Sequence, residues 1–292
     1  MDPRYKKTIL SQNTYMCKFG QLKNKSNYGC IKNHYQENYD VGIAYNFCDV
    51  YILKVPAIDI AYEFIKMGLS PVIVTNITND FKDNNVENSD GVYDVMTLIR
   101  TNYNLIMKMN GNFLPVHDNE ILYNPEVIIL RDENLNFYQN EINKISIISN
   151  NLNKKDYQFG KKRFSFESYI KLKIKLETIF QTAHLSGHEV LILNDFGIGS
   201  NLFPIKEIID LYNLCILKYG HLFKYIIFPF TIKDSRDIAS HAVFLKDIIK
   251  PQEILDIHDD NNDELINIQA QILLEEMKKN ITNDAMIETI SN

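Results

Sequence analysis

HEVLILNDFGIGSNLFP, the stretch from His188 to Pro204, decides the fold, because a short apolar run ends abruptly in a Gly-X-Gly loop that leads into a helix. Val190 to Leu193 are continuously apolar and are bounded by turn-forming residues, which predicts a buried parallel strand. Gly197 and Gly199 lack a Cβ, so backbone N–H groups there can approach a phosphate, and a helix starting near Pro204 directs its positive end to the same place. This order predicts a phosphate-binding turn, although Gly-X-Gly also occurs at strand-to-helix turns that bind nothing.

Strand-like and helix-like segments alternate on both sides of this stretch. The predicted strands are Val50–Leu53, Pro71–Thr75, Val127–Leu130, Ile145–Ile148, Val190–Leu193 and Tyr225–Phe230. The predicted helices are Ala57–Met67, ended by Gly68, then Tyr93–Met109, Phe166–Ala183 and Ile205–Lys218. The alternation predicts a three-layer α/β domain with a mixed sheet and helices on both faces. Ligands of such sheets bind at the carboxyl ends of the strands, where the Gly-X-Gly loop falls.

The chain divides into a domain and two extensions. Residues 1–48 are polar and without sustained periodicity, so we expect an extension that is partly ordered at best. Residues 49–250 form the predicted domain, interrupted by a basic linker at 154–163. Residues 251–292 begin as an acidic linker and then show helical spacing at Leu265, Ile268, Ile272 and Met277, which predicts a helix that packs on the domain or else on a protein partner.

Composition excludes several classes of protein. The formal net charge of -6 argues against a nucleic-acid partner held non-specifically through its phosphates, although a local basic patch remains compatible with it. The four cysteines are scattered without zinc-ligand spacing, so neither a metal site nor a disulfide scaffold is expected. No apolar run reaches transmembrane length and no secretory signal is present, so we expect an intracellular protein, cytoplasmic or nuclear, without a membrane partner. Frequent Asn, Ile, Lys and Tyr with no Trp indicate an AT-rich genome.

Five segments, in shared order, resemble those of the microbial-type poly(ADP-ribose) glycohydrolases, which have a macrodomain fold. They are AIDIAYEF from Ala57, VTNIT from Val74, YNPEVIILRD from Tyr123, IISNNL from Ile147 and GHEVLILNDFGIG from Gly187. YNPEVIILRD is the most specific of these matches. The similarity runs from about Val50 to Lys250, and it implies a macrodomain-like fold without a cofactor.

The resemblance also implies where a ligand would bind. The family's Gly-Cys-Gly loop holds the diphosphate of ADP-ribose, and its positions correspond here to Phe196, Gly197, Ile198, Gly199 and Ser200. The loop after the fourth predicted strand borders the ligand in the family, which adds three candidates: Ser149, Asn150 and Asn151. An aromatic residue that follows the family's Gly-Cys-Gly is replaced by Asn201.

The catalytic part of the family pattern is changed. Counted from Asn76, the family's Gly-rich loop falls on DNNV at residues 83–86, and its Gln-Glu-Glu falls on Asp94, Val95 and Met96. Leu98 and Arg100 keep the family's Leu-x-Arg, which supports this register. Glycosidic cleavage requires a carboxyl group to protonate the leaving oxygen. Val95 and Met96 cannot supply it, so a catalytically degenerate pseudoenzyme is favoured, with Asp94 or Glu87 (or Asp90) as weak candidates for a relocated acid.

Other constellations have simpler explanations. His184 and His188 have the i, i+4 spacing of zinc ligands, but Gly187 interrupts the helix, so packing at the start of the strand is the favoured role of His188. The basic run Lys161–Arg163, with aromatic neighbours, is compatible with an anionic polymer, yet a solvated linker explains it equally well. Asp59 is expected to be an early helix residue favoured by the helix dipole.

Three functions remain open from the sequence. The first is a module that binds ADP-ribose, a related nucleoside diphosphate or an ADP-ribosylated macromolecule, with hydrolase activity lost or weak. The second is an active ADP-ribosyl or poly(ADP-ribose) glycohydrolase with a relocated acid. The third is a scaffold with a vestigial pocket whose terminal extensions bind protein partners.

Overall fold

A single mixed sheet of eight strands organises the computed structural model. The structure describes residues 3–23, 28–39, 45, 48–53, 55–77, 95–138, 142–152, 163–193, 203–229, 247–248 and 287–289. The strands are β1 Ile31–His34, β2 Asp49–Leu53, β3 Pro71–Ile77, β4 Glu120–Ile129, β5 Asn143–Asn151, β6 Val190–Ile192, β7 Tyr225–Pro229 and β8 Ile287–Thr289. Their spatial order is β1-β4-β5-β3-β6-β7-β2-β8.

Five parallel strands form the centre of the sheet, in the order β5-β3-β6-β7-β2. The outer strands β1, β4 and β8 run antiparallel to their neighbours. Every residue of β2, β3 and β6 is buried, as expected for parallel strands that are covered on both faces. The predicted α/β architecture and all six predicted strands are therefore confirmed, with changed boundaries.

Within the described residues, six α-helices cover the sheet. They are α1 Pro3–Lys18, α2 Ala57–Lys66, α3 Val95–Arg100, α4 Tyr103–Met109, α5 Phe166–Leu185 and α6 Ile205–Tyr219, with 3-10 turns at Gly111–Phe113 and Gly220–Leu222. Helix α2 ends as predicted at Gly68, whose φ of +78° is the left-handed conformation that favours glycine. Helix α5 begins after Ser165, whose side chain accepts a hydrogen bond from the backbone N–H of Ser168.

Two apolar layers sandwich the sheet. Alternate residues of the central strands, such as Val74 and Ile148, pack with α5 and α6 on one face. Their neighbours, such as Ile73 and Ile147, pack with α2, α3 and α4 on the other face. Helices therefore lie on both faces, which confirms the predicted three-layer arrangement.

The N-terminal segment differs from the expectation of a partly ordered extension. Helix α1 buries Ile9, Leu10 and Cys17, and β1 pairs with β4 at the sheet edge. Apolar periodicity in α1 is weak because its buried face includes Asn13, which is held by polar bonds. The Nδ2 group of Asn13 donates to the carbonyl of Ile99 at 2.8 Å. The division of the chain after residues 48 and 250 stays a prediction.

The helix predicted over Tyr93–Met109 is wrong in its middle, since α3 and α4 are separate helices. Thr101 forms an isolated bridge with Ile129, and the Asn102 side chain accepts a hydrogen bond from the backbone N–H of Ile128 at 2.8 Å. Pairing with the end of β4 satisfies the backbone here and breaks the helix.

The acidic linker and the helix predicted near 265–277 lie outside the described residues, as does most of the basic linker at 154–163. No helix in the described ranges is long and apolar enough to cross a membrane.

Candidate functional site

The strand order places a topological switch point between β3 and β6. From β3 the chain continues through α3 and α4 to β4 and then to β5, on one side of β3. From β6 it continues through α6 to β7, which lies on the other side of β3. Helix α6 crosses the face of the sheet opposite to α3 and α4. Because the two connections diverge, a crevice forms at the carboxyl ends of these neighbouring strands, which is where α/β sheets bind ligands.

Strand β6 is short, and we call the region beside the last four residues of β3, past the end of β6, the notch. Its last residue, Ile192, lies opposite Ile73 of β3, and β3 continues for four more residues to Ile77. At about 3.3 Å per residue, β3 extends roughly 13 Å beyond the end of β6. The backbone N–H of Leu193 still donates to Ile227 of β7 at 2.8 Å, after which the chain enters the Gly-X-Gly segment. The phosphate-binding turn predicted at residues 196–200 follows Leu193 in the sequence and lies outside the described residues.

Two asparagines join the β3 and β5 walls of this notch. Asn76 and Asn150 are paired in register and lie on the same face of the sheet. The Oδ1 atom of Asn76 accepts a hydrogen bond from the backbone N–H of Leu152 at 2.7 Å. The Nδ2 group of Asn150 donates to the backbone carbonyl of Thr75 at 3.1 Å. These two bonds, which we call the asparagine clasp, extend the pairing of the strands to their ends.

Ser149, predicted to border a ligand, is fully buried on the opposite face. Its hydroxyl contacts the Tyr103 hydroxyl at 2.5 Å, and Tyr103 belongs to α4. Burial raises the pKa of the Tyr103 phenol far above its ordinary value, against the opposite effect of the bond to Ser149. The pair is therefore neutral and anchors α4 under the end of β5.

Asn150 and Asn151, the other two candidates on β5, are buried but retain hydrogen-bonding capacity. Within the described part of the chain, neither Oδ1 atom has a hydrogen-bond partner. The Nδ2 group of Asn151 makes a long contact of 3.5 Å with the carbonyl of Val116. An unpaired buried acceptor costs about 1–3 kcal/mol, so the end of β5 offers two acceptor atoms that a donor would stabilise.

Lys175 places a cation behind the end of β5, and the sequence analysis did not single it out. This α5 residue is completely buried, and its ammonium group donates to the carbonyl of His117 at 3.0 Å. His117 adjoins Val116, the residue that Asn151 contacts. A lysine within the apolar stripe of an amphipathic helix was the available signal, since such positions are normally apolar.

The remaining candidates divide between described and undescribed positions. Phe196, Gly197, Ile198, Gly199, Ser200, Glu87 and Asp94 lie outside the described residues. Val95 and Met96, aligned with the family's glutamates, open α3 and pack against the apolar layer beneath the sheet. Arg100 is also buried, and its guanidinium lies 2.5 Å from the Asp59 carboxylate. Asp59 is thus an early helix residue, as expected, and it also neutralises Arg100.

His188 forms a directed hydrogen-bond chain at the amino ends of the strands. Ser146 lies 3.2 Å from the carbonyl of Pro125, which can only accept. Ser146 must therefore donate there, so the Tyr123 hydroxyl donates to Ser146 at 3.2 Å and accepts from His188 Nε2 at 2.9 Å. Nδ1 then accepts from the Ser70 hydroxyl at 3.0 Å. Burial lowers the pKa of His188 to about 4, so the ring is neutral.

His184 is engaged elsewhere, since its Nδ1 lies 2.5 Å from the Tyr39 hydroxyl. The two histidines therefore serve packing and hydrogen bonding, the role favoured for His188 from the sequence. No group of three or more His, Cys, Asp or Glu side chains suited to a metal occurs among the described residues.

Comparison with solved structures identifies the fold. Poly(ADP-ribose) glycohydrolase from Thermomonospora curvata superposes with a TM-score of 0.65 at 11% identity, covering 84% of this chain and 100% of that one. The same enzyme bound to the inhibitor ADP-HPD gives 0.63 at 11% identity, covering 83% and 99%. The Deinococcus radiodurans glycohydrolase in complex with ADP-ribose gives 0.54 at 11% identity, covering 68% and 83%. No protein-family model and no curated protein matches the sequence. The chain therefore has the macrodomain-like fold of the microbial poly(ADP-ribose) glycohydrolases.

Proposed function

We propose that the notch between β3 and β7 binds ADP-ribose or a related nucleoside diphosphate, free or attached to a macromolecule, and that hydrolase activity is lost or very weak. The observation that carries this proposal is the early end of β6 at a topological switch point. The chain passes there directly into Phe196–Ser200, the sequence with two glycines. Backbone N–H groups at such a turn suit a diphosphate.

The β3 wall of the notch, with β5 behind it, supplies two features to this proposal. The asparagine clasp holds β3 and β5 together, so the wall is rigid before a ligand arrives, which lowers the entropic cost of binding. The Oδ1 atoms of Asn150 and Asn151 are acceptors for ribose hydroxyls or an adenine amino group.

Loss of catalysis is proposed from the positions that replace the family's glutamates. Val95 and Met96 have no ionisable group, and their side chains contribute to the apolar layer. Without a carboxylic acid the leaving oxygen is not protonated, which removes roughly 10²–10⁴ in rate. Asp94 and Glu87 remain the candidates for a relocated acid, and an active glycohydrolase is the alternative that the assay below tests.

Calorimetric titration of the full chain with ADP-ribose tests the binding proposal. We expect one site per chain, with weaker binding of ribose 5-phosphate because it lacks the diphosphate and the adenine. No heat signal at millimolar ADP-ribose would overturn both the binding module and the enzyme, and would leave the scaffold. Gly199→Leu should abolish binding because a side chain blocks approach to the backbone. Ser186→Leu adds the same side chain at a half-buried position just after α5, at the amino ends of the strands, and should bind normally.

A product assay separates the binding module from the enzyme. The chain is incubated with poly(ADP-ribose)-modified protein, and released ADP-ribose is measured. We expect no release above the rate without protein. Release that disappears in Asp94→Asn or Glu87→Gln would establish a relocated acid and contradict the proposed loss of catalysis.

A further inference from the structure

The net charge of -6 conceals a strongly basic N-terminal segment. Residues 3–36 contain seven Lys and Arg and no Asp or Glu, which gives this segment a formal charge of +7. The rest of the chain contains 24 basic and 37 acidic residues, a formal charge of -13. Most of this segment is α1 and the turn after it. Its positive charge is compatible with a nucleic-acid partner, although the net charge of the whole chain is negative.

Helix α1 presents three aromatic rings on its outer face. Tyr5, Tyr15 and Phe19 are 53%, 62% and 70% exposed, although large apolar side chains are normally covered. Tyr15 and Phe19, the residue that directly follows α1, are four residues apart and therefore adjacent, whereas Tyr5 lies about 80° around the helix from Tyr15. The rings of Tyr15 and Phe19 are neighbours, with centroids 5.9 Å apart. The side of α1 opposite Tyr15, which includes Leu10 and Cys17, is the one buried against the domain.

A basic stripe runs beside the aromatic one. Arg4, Lys7 and Lys18 are exposed and follow each other at three and eleven residues, so they share one side of α1. At 3.6 residues per turn this side lies next to the aromatic stripe. Cations and exposed rings in parallel rows match a flexible strand that has phosphates along one edge and planar bases along the other.

We propose that this face of α1, which we call the aromatic-basic stripe, binds single-stranded nucleic acid. Bases stack on Tyr15 and Phe19, and phosphates lie along the basic side. Two observations favour this partner over other polyanions. Rings 5.9 Å apart suit successive bases of a nucleotide strand, whereas adenines in poly(ADP-ribose) are separated by a diphosphate and two riboses. A membrane would require the aliphatic stripe, which faces the core, and the outer stripe includes Thr8 and Gln12 between its rings.

Fluorescence anisotropy with a labelled oligo(dT) of about 12 nucleotides tests the proposal on the full chain. We expect binding that weakens roughly 20-fold between about 50 and 200 mM salt, as the release of counterions from three phosphates requires. Tyr15→Ala/Phe19→Ala should weaken binding at least about tenfold, because each stacked base contributes to affinity. Leu214→Ala/Leu217→Ala removes two exposed apolar side chains of 44% and 45% exposure from α6 and should leave the affinity unchanged.

A charge variant provides an independent measurement. Lys18→Glu should weaken oligo(dT) binding and reduce its salt dependence. Lys206→Glu, at an exposed position on α6, should change neither the affinity nor the salt dependence. Absence of oligo(dT) binding would overturn the proposal, as would equal affinity of the Tyr15→Ala/Phe19→Ala variant. If poly(ADP-ribose) or phosphatidylserine vesicles bind more tightly than oligo(dT), and if this binding is lost in Tyr15→Ala/Phe19→Ala, that ligand and not nucleic acid is the partner. ADP-ribose binding by Tyr15→Ala/Phe19→Ala and by Lys18→Glu should be unaffected. A failure of the nucleic-acid proposal is therefore distinguishable from a failure of the proposed ADP-ribose site.

Discussion

Asn76 and Leu152 join the ends of two neighbouring parallel strands, since the Oδ1 atom of Asn76 accepts a hydrogen bond from the backbone N–H of Leu152 at 2.7 Å. Both residues are buried, so water cannot replace this bond if the side chain is removed. A strand end that would otherwise separate is thereby fixed beside the proposed ligand. Stability and ligand affinity should therefore respond together to a change at Asn76.

We predict that Asn76→Ala lowers the free energy of unfolding by about 1–3 kcal/mol, because it removes the side-chain acceptor of the buried Leu152 N–H. Urea denaturation followed by circular dichroism measures this loss, and ADP-ribose titration should show weaker binding. Asn33→Ala, in the half-buried edge strand β1, is the matched control and should change stability by no more than about 0.5 kcal/mol. Equal stability of Asn76→Ala and the native chain would show that the bond contributes nothing.

The half-buried Asp59 and the buried Arg100 form a second contact, 2.5 Å long, between α2 and α3. Arg100 is only 2% exposed and also donates to the carbonyl of Arg131 at 3.2 Å. We predict that Asp59→Asn destabilises the fold by about 3 kcal/mol, because it leaves a buried guanidinium without its counterion. The double variant Asp59→Asn/Arg100→Met should recover part of this loss. A double variant less stable than Asp59→Asn would contradict the account, and both are measured by denaturant unfolding.

The sequence predicted the parallel centre of the sheet well, for physical reasons. Strands such as Pro71–Ile77 are buried on both faces, so they are continuously apolar and easily recognised. The boundaries and the edges were harder to predict. Strand β4 begins at Glu120, where it pairs with β1 at the sheet edge, and this pairing has no local apolar signature. Helix α1 was missed because Asn13 lies in the middle of its buried stripe.

The site was predicted only in outline. The three candidates named from their position in the sequence lie at the end of β5, and their contact with a ligand stays a prediction. The sequence did not indicate which way each side chain faces. Ser149 and Asn150 are adjacent and therefore point to opposite faces of the sheet, so Ser149 contacts Tyr103 while Asn150 joins the clasp. The clasp itself depends on the register between β3 and β5, which are separated by about 70 residues in sequence. Such long-range register has no local signal.

Asn13 should prove essential to the docking of α1, although it is a polar residue in a segment without sustained periodicity. Its side chain donates to the Ile99 carbonyl at 2.8 Å and accepts from the Arg131 guanidinium at 2.8 Å. We predict that Asn13→Leu destabilises the protein by about 2–3 kcal/mol, since it leaves buried polar groups unpaired on both partners. Thr8→Ala, on the exposed side of α1, is the control and should be nearly neutral. Increased hydrogen exchange confined to α1 would confirm the site of the effect, and a neutral Asn13→Leu would contradict it.

His188 should make stability depend on pH in a defined window. Burial lowers its pKa to about 4 in the folded protein, whereas an unfolded histidine has a pKa of about 6.5. Above about pH 6.5 both states are neutral at this residue, so it contributes no pH dependence. Between about pH 6.5 and 4 the unfolded chain binds a proton that the folded chain does not, so stability falls as the pH falls, by about 3 kcal/mol in total.

Urea unfolding from pH 7.5 to 4 in steps measures this slope. Carboxylates such as Glu177 also make the protein less stable as the pH falls. Burial raises the pKa of Glu177, but Lys218 and two tyrosine hydroxyls lower it further, so the net shift is downward. The contribution of His188 must therefore be taken from the difference in slope between variants. His188→Gln should be less stable at pH 7, because the chain from Ser70 to Tyr123 is broken, but its stability should fall less steeply towards pH 4. His34→Gln, at an exposed position on β1, should keep the native slope. Parallel curves for His188→Gln and the native chain would show that His188 titrates alike in the folded and unfolded states, and the buried neutral ring would then be excluded.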